Sequence, residues 1–109
     1  MNFRIKITRN FDREAKPLLK KYPSFKKDIA NLIGELELNP ELGQPLGHNL
    51  FKIRLAISSK GRGKSGGARV ITYVILENEI VHLISIYDKA EYDTAEIDTL
   101  LKILKNEGL

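Results

Sequence analysis

Two short segments of this 109-residue chain hold side chains suited to working on a phosphodiester. One is Lys64-Ser65-Gly66-Gly67-Ala68-Arg69, and the other is Tyr87-Asp88-Lys89-Ala90-Glu91. Arginine and lysine stabilise the extra negative charge of a pentacoordinate phosphorus. A lysine crowded by other cations has a lowered pKa and can give or take a proton near neutral pH. Glu91 is the residue type that accepts the proton of a 2′-hydroxyl. Together these groups describe metal-free cleavage of RNA. The same residues also suit plain surface ion pairs, with Asp88 and Glu91 facing nearby Lys or Arg.

The charge around the first segment favours a polyanion. Between positions 42 and 76 there is no Asp or Glu, while Lys52, Arg54, Lys60, Arg62, Lys64 and Arg69 are all present. Positive charge concentrated in this way is the footprint of nucleic-acid phosphate. Lys52, Arg54, Lys60 and Arg62 are therefore the expected RNA-binding cations.

Other chemistries are poorly supported. A nucleotide phosphate loop around Gly63-Lys64-Ser65 requires a glycine where Ser58 stands and a helix where a β-branched run follows. The chain has no cysteine, so neither a disulfide nor a thiolate metal site is expected. His48 and His82 are far apart and lack carboxylates at ligand spacing, and mid-strand His82 suits a structural role. No metal and no cofactor are expected. No apolar run approaches membrane-spanning length, and the first residues lack a signal-peptide core, so a cytoplasmic protein with no membrane partner is expected.

Hydrophobic period places these segments on elements. Phe3, Ile5 and Ile7 alternate with Arg4 and Lys6 as in a half-buried strand. Asn10 is a candidate cap for a helix with Phe11, Ala15, Leu18, Leu19 and Tyr22 inward, and Pro17 predicts a kink or late start. Ser24 caps a clearer helix on Phe25, Ile29, Leu32, Ile33 and Leu36, ended by Asn39-Pro40. Gly43, Pro45 and Gly47 read as a loop. Phe51, Ile53, Leu55 and Ile57 then alternate strictly, with Lys52 and Arg54 on the other face. Two further strands are expected over 69–76 and 80–87, joined tightly at Glu77-Asn78-Glu79. Asp93 or Thr94 caps a last helix with Ile97, Leu100, Leu101 and Leu104 on one stripe. The expectation is a single α+β domain over 1–109. Its order is β-α-α-β-β-β-α, with helices packed on an antiparallel sheet of about four strands. Counting back from the turn sets Arg69 opposite Tyr87, unless a bulge shifts the register.

The run from Lys64 to Tyr73, followed by Ile86-Tyr87-Asp88-Lys89-Ala90-Glu91, resembles the RelE/ParE superfamily, and within it the HigB-like toxins of type II toxin–antitoxin modules. The likeness lies in a Lys-Ser-Gly-Gly-x-Arg entry to one strand and a Tyr-x-Lys-x-Glu exit from the next, and it spans nearly the whole chain. It implies a RelE-like fold and a ribosome-dependent mRNA endoribonuclease that acts in the A site. It also implies silencing by a cognate antitoxin protein, through which the complex binds operator DNA. Carried over by position, the motif assigns Lys64, Arg69, Tyr87, Lys89 and Glu91 to catalysis. Arg69 would stabilise the phosphorane, Glu91 or Lys89 would handle the 2′-hydroxyl proton, and Tyr87 would orient substrate or leaving group. Arg54 matches a basic strand position of these toxins. The alternatives are a ParE-like DNA gyrase inhibitor and a non-catalytic RNA-binding domain.

Overall fold

The computed structural model describes residues 2–60, 66–89 and 95–109. The elements in chain order are β1 (Arg4–Ile7), α1 (Arg9–Lys21), α2 (Phe25–Leu38), β2 (Gln44–Gly47), β3 (Leu50–Leu55), β4 (Ala68–Ile75), β5 (Ile80–Asp88) and α3 (Ile97–Asn106). A short 3-10 turn, Ser58–Lys60, follows β3. Among the described residues, no helix is long and apolar enough to cross a membrane.

The strands form one sheet in the order β1-β5-β4-β3-β2. The α+β class and the predicted element order hold, with two corrections. The sheet has five strands rather than about four, because the segment with Pro45 is strand β2. Proline removes only one ladder donor, and β2 lies at the sheet edge, where a strand tolerates that loss. Its hairpin to β3 turns on His48 and Asn49, both at positive φ (56° and 64°), the backbone signature of a tight two-residue turn. The sheet is also mixed rather than antiparallel, since β1 pairs with β5 in parallel. The chain between these two strands is long enough to return in either direction, so hairpin reasoning does not constrain that pair.

The N-cap of helix α1 lies two residues before the expected one. Thr8, not Asn10, is the N-cap, and its Oγ1 accepts from the Phe11 N–H at 3.2 Å while donating to the Leu83 carbonyl at 2.9 Å. The Glu107 carboxylate accepts from the N–H groups of Arg9 and Asn10, satisfying two more of the helix's unpaired donors. Pro17 lies inside a continuous helix that already begins at Arg9, so the late start is not seen. Helix α2 opens after Ser24 as expected. Asp93 and Thr94 lie outside the described residues, and α3 opens at Ile97 after Glu96.

Two apolar clusters sandwich the sheet. Phe11, Ala15 and Leu18 of α1 and Phe25, Leu32 and Leu36 of α2 pack on Ile53, Leu55, Val70, Val74, Val81, Leu83 and Ile86. On the opposite face Leu100 and Leu104 of α3 pack on Leu50, Ile71, Ile84 and Tyr87. Each fully buried Leu or Ile in these clusters contributes about 1.5–3 kcal/mol of transfer free energy.

Candidate active site

Alternation on β3 separates apolar from basic side chains. Ile53 and Leu55 face the cluster under α1 and α2, so Lys52 and Arg54 face the α3 side with Leu50. The β3–β4 ladder sets Arg54 opposite Arg69, and the β4–β5 ladder sets Arg69 opposite Tyr87. Residues opposite one another in antiparallel strands share a face, so Arg54, Arg69 and Tyr87 form one row across three strands.

The predicted Arg69–Tyr87 pairing holds because two departures cancel. The turn spans residues 76–79, and Ile75 pairs with Ile80, so Glu77 does not face Glu79. A bulge then adds one residue to β5: Ile71 pairs with Ser85 while Thr72 pairs with Leu83. The bulge also swaps faces. Val81 and Leu83 lie in the α1/α2 cluster, as does Ile86, whereas Tyr87 lies in the α3 cluster. A regular strand would have carried Tyr87 to the α1/α2 side.

The row is unevenly exposed. Arg69 is 3% exposed and Tyr87 4%, while Arg54 is exposed and Lys52 half-buried. Arg69 Nη1 donates to the Ala68 carbonyl at 3.2 Å. The ladder runs on past the row, with the Lys89 N–H donating to the Gly67 carbonyl at 3.1 Å. Gly67 has no room for a side chain, because a Cβ there would lie 1.9 Å from the Leu55 carbonyl oxygen. The ends of β3, β4 and β5 are thereby held in close contact.

On the opposite face the same end of the sheet is fastened by a buried charge. Asp88, opposite Ala68, ends β5 with a side chain only 2% exposed. Its Oδ1 pairs with Lys60 Nζ at 2.7 Å, and its Oδ2 accepts from the Tyr22 hydroxyl at 2.8 Å. Lys60 Nζ also lies 5.2 Å from the Tyr22 ring centroid, within cation–π range. Burial alone would lower the Lys60 pKa, but the Asp88 hydrogen bond and charge, with Tyr22, outweigh it and hold the pKa above the ordinary lysine value. Lys60 thus stays protonated near neutral pH, and its charge already faces a carboxylate.

The turn that carries Lys60 is tied to α2 by Asp28, whose carboxylate accepts from the Ser58 N–H (2.9 Å), the Ser58 hydroxyl (2.7 Å) and the Ser24 hydroxyl (2.8 Å). Burial pushes this carboxyl pKa up, and the hydrogen bonds from Ser58 and Ser24 more than reverse it, leaving it below the usual value. Arg62, Lys64 and Glu91 lie outside the described residues. Asp28 and Tyr22 are the residues that sequence reasoning missed. The Ser24-to-Asp28 spacing was a local signal for the first, and nothing local marks the second.

No family model matches the chain. Among solved structures it is similar to a double arginine-to-alanine mutant of the E. coli toxin RelE in the free state. The two share 18% sequence identity at a TM-score of 0.60, with all of both chains covered. The fold is therefore RelE-like, end to end.

Proposed function

We propose that the chain is the toxin of a toxin–antitoxin pair and cleaves mRNA on the ribosome without a metal ion, in the manner of HigB-type relatives of RelE. The observation that carries this reading is the three-strand row Arg54–Arg69–Tyr87 at the basic end of a RelE-like sheet. The exposed Arg54, with Lys52, Arg62 and Lys64, receives the RNA backbone. Arg69, in the same row as Arg54, stabilises the phosphorane formed by 2′-hydroxyl attack. Glu91 or Lys89 takes the hydroxyl proton, and Tyr87 orients the substrate or leaving group. Lys60 serves differently from the other cations: paired with Asp88, it fixes the end of the sheet. The partners under this reading are ribosome-bound mRNA and a cognate antitoxin protein, in the cytoplasm.

Primer extension on cellular mRNA after induction tests the proposal. The expected result is discrete cuts with 2′,3′-cyclic phosphate and 5′-hydroxyl ends, produced by the purified chain on ribosomes in a reaction that adds no metal beyond what keeps the ribosome intact. Intact mRNA with blocked DNA replication would replace this reading with gyrase inhibition.

A further inference from the structure

The basic strand segment is not the only concentration of positive charge. Arg9, Arg13, Lys16 and Lys20 of α1 are all exposed, and they follow one another at steps of four, three and four residues. At 3.6 residues per turn those steps keep the four side chains on one narrow stripe about 16 Å long. The stripe lies opposite the helix's buried positions, Phe11, Ala15 and Leu18. It therefore points away from the sheet, on the other side of the molecule from the Arg54–Arg69–Tyr87 row. Lys21, Lys26 and Lys27, which follow the stripe in sequence, are also exposed.

A merely solvated helix face is better served by mixed charges, because acids and bases at i,i+4 attract and like charges there repel. Here four cations are neighbours at such spacings, and Arg9 in the first turn also opposes the helix dipole. Lys20 in the last turn favours the dipole and Asp12 stands at attracting spacings from Arg9 and Lys16, so local helix energetics neither requires nor forbids four cations in a row. Asp12 is the nearby acid of the first turn, and none of the four cations forms an ion pair with it or with any other described residue. The exposed large apolar residues, Ile7, Leu19, Leu38, Leu76 and Leu109, are scattered through the sequence, with only Leu19 on this helix. A surface with charge but little apolar area suits a phosphate backbone better than a protein partner, which would bury apolar side chains at its centre.

We infer that the α1 stripe Arg9–Arg13–Lys16–Lys20 is a second RNA-binding surface, which docks the protein on the phosphate backbone of folded RNA while the sheet row faces the strand to be cut. Under the proposed function that folded RNA is ribosomal. The inference rests on that reading for the identity of the RNA, and on the stripe alone for the binding.

The test is a triple variant, Arg13→Gln, Lys16→Gln and Lys20→Gln, which keeps good helix formers at exposed positions, with circular dichroism to check the fold. Co-sedimentation with purified ribosomes is measured across a salt series. Three lost phosphate contacts are expected to reduce the slope of log affinity against log salt by roughly 2–3, and the affinity at physiological salt by about tenfold or more. A folded triple variant with wild-type affinity and slope overturns the inference. So does a variant that binds ribosomes normally but loses binding to polyglutamate, since the stripe would then serve an acidic protein. Cleavage is scored separately. Stripe-dependent ribosome binding by a wild-type chain that cuts no mRNA removes the nuclease reading and leaves the second surface standing. Cutting by the wild type, with unchanged binding of the variant, removes the second surface alone.

Discussion

The two basic regions of this molecule are built by different means. The α1 stripe depends on one helix: four side chains at helical spacing face water because their neighbours Phe11, Ala15 and Leu18 face the core. The sheet row depends on three strands, a bulge and a glycine, and its central cation is 3% exposed. Charge meant to meet a phosphate at one atom has to be held by tertiary contacts, because a misplacement of about 1 Å can cost a hundredfold in rate. Charge meant to hold a backbone needs only density and exposure. The stripe should therefore tolerate single substitutions, and the row should not.

The largest effect is expected at Asp88. Asp88→Asn leaves Lys60 buried without its counter-ion, and breaking such a pair costs about 3–5 kcal/mol. Urea unfolding should register that loss, whereas the Gln variants of the stripe should unfold within about 0.5 kcal/mol of wild type, as exposed surface substitutions usually do. Equal midpoints for Asp88→Asn and wild type would erase the contrast between the regions.

At Arg69 the expected loss is catalytic, roughly a hundredfold or more in mRNA cleavage. Arg69 ends a strand, which suggests that its removal is harmless to folding, yet its 3% exposure means that Arg69→Ala also opens a hole. Arg69→Lys separates the two effects, since it retains a cation and most of the volume but loses the planar fork. A folded Arg69→Lys chain that cuts at the wild-type rate would show that the row does no more than the stripe does.

The pH dependence of stability should differ in the same way. The folded-state pKa of Lys60 is raised, so the stability that it contributes is fully present below the unfolded lysine value of about 10.4 and is lost as pH rises through the folded value. That of Asp28 is lowered, so its contribution is present above about 3.9 and is lost as pH falls through the folded value. Lys60→Met should flatten the alkaline limb of a stability–pH curve and Asp28→Asn the acid limb. The stripe variants should leave both limbs in place.

Within the Asp88 cluster, Tyr22→Phe should have a smaller effect than Asp88→Asn. It removes one hydroxyl donor to Asp88 and leaves the ring under Lys60, at a cost of about 1.5–3 kcal/mol, the range for a hydrogen bond to a charged group, and it should sit at the low end because Lys60 still holds the carboxylate. A loss as large as that of Asp88→Asn would mean that the hydroxyl, not the ammonium, is the principal partner of this carboxylate.

Much of this could be read along the chain. The periodicity of Phe25 to Leu36 marked α2, the alternation from Phe51 to Leu55 marked β3, and the absence of acids from 42 to 76 marked a basic face. These are local signals, because a helix or a half-buried strand imposes its period on neighbouring residues. Pro45 hid β2, since an edge strand tolerates a proline that a central strand would reject. The bulge at Ile84 was invisible, because its residues are ordinary strand formers and only the fit of β5 to β4 and to α3 calls for an extra one. Asp88 stood in a recognisable motif, but its partners Tyr22 and Lys60 come from 66 and 28 residues away. By itself the sequence determined every element but β2, the order of the others and the sign of the charge, all of which follow from short-range spacing. The tertiary structure alone decided which face Tyr87 takes, that Arg69 is buried and that Lys60 is neutralised. Those depend on strand register and on contacts between distant segments, and no local pattern encodes either.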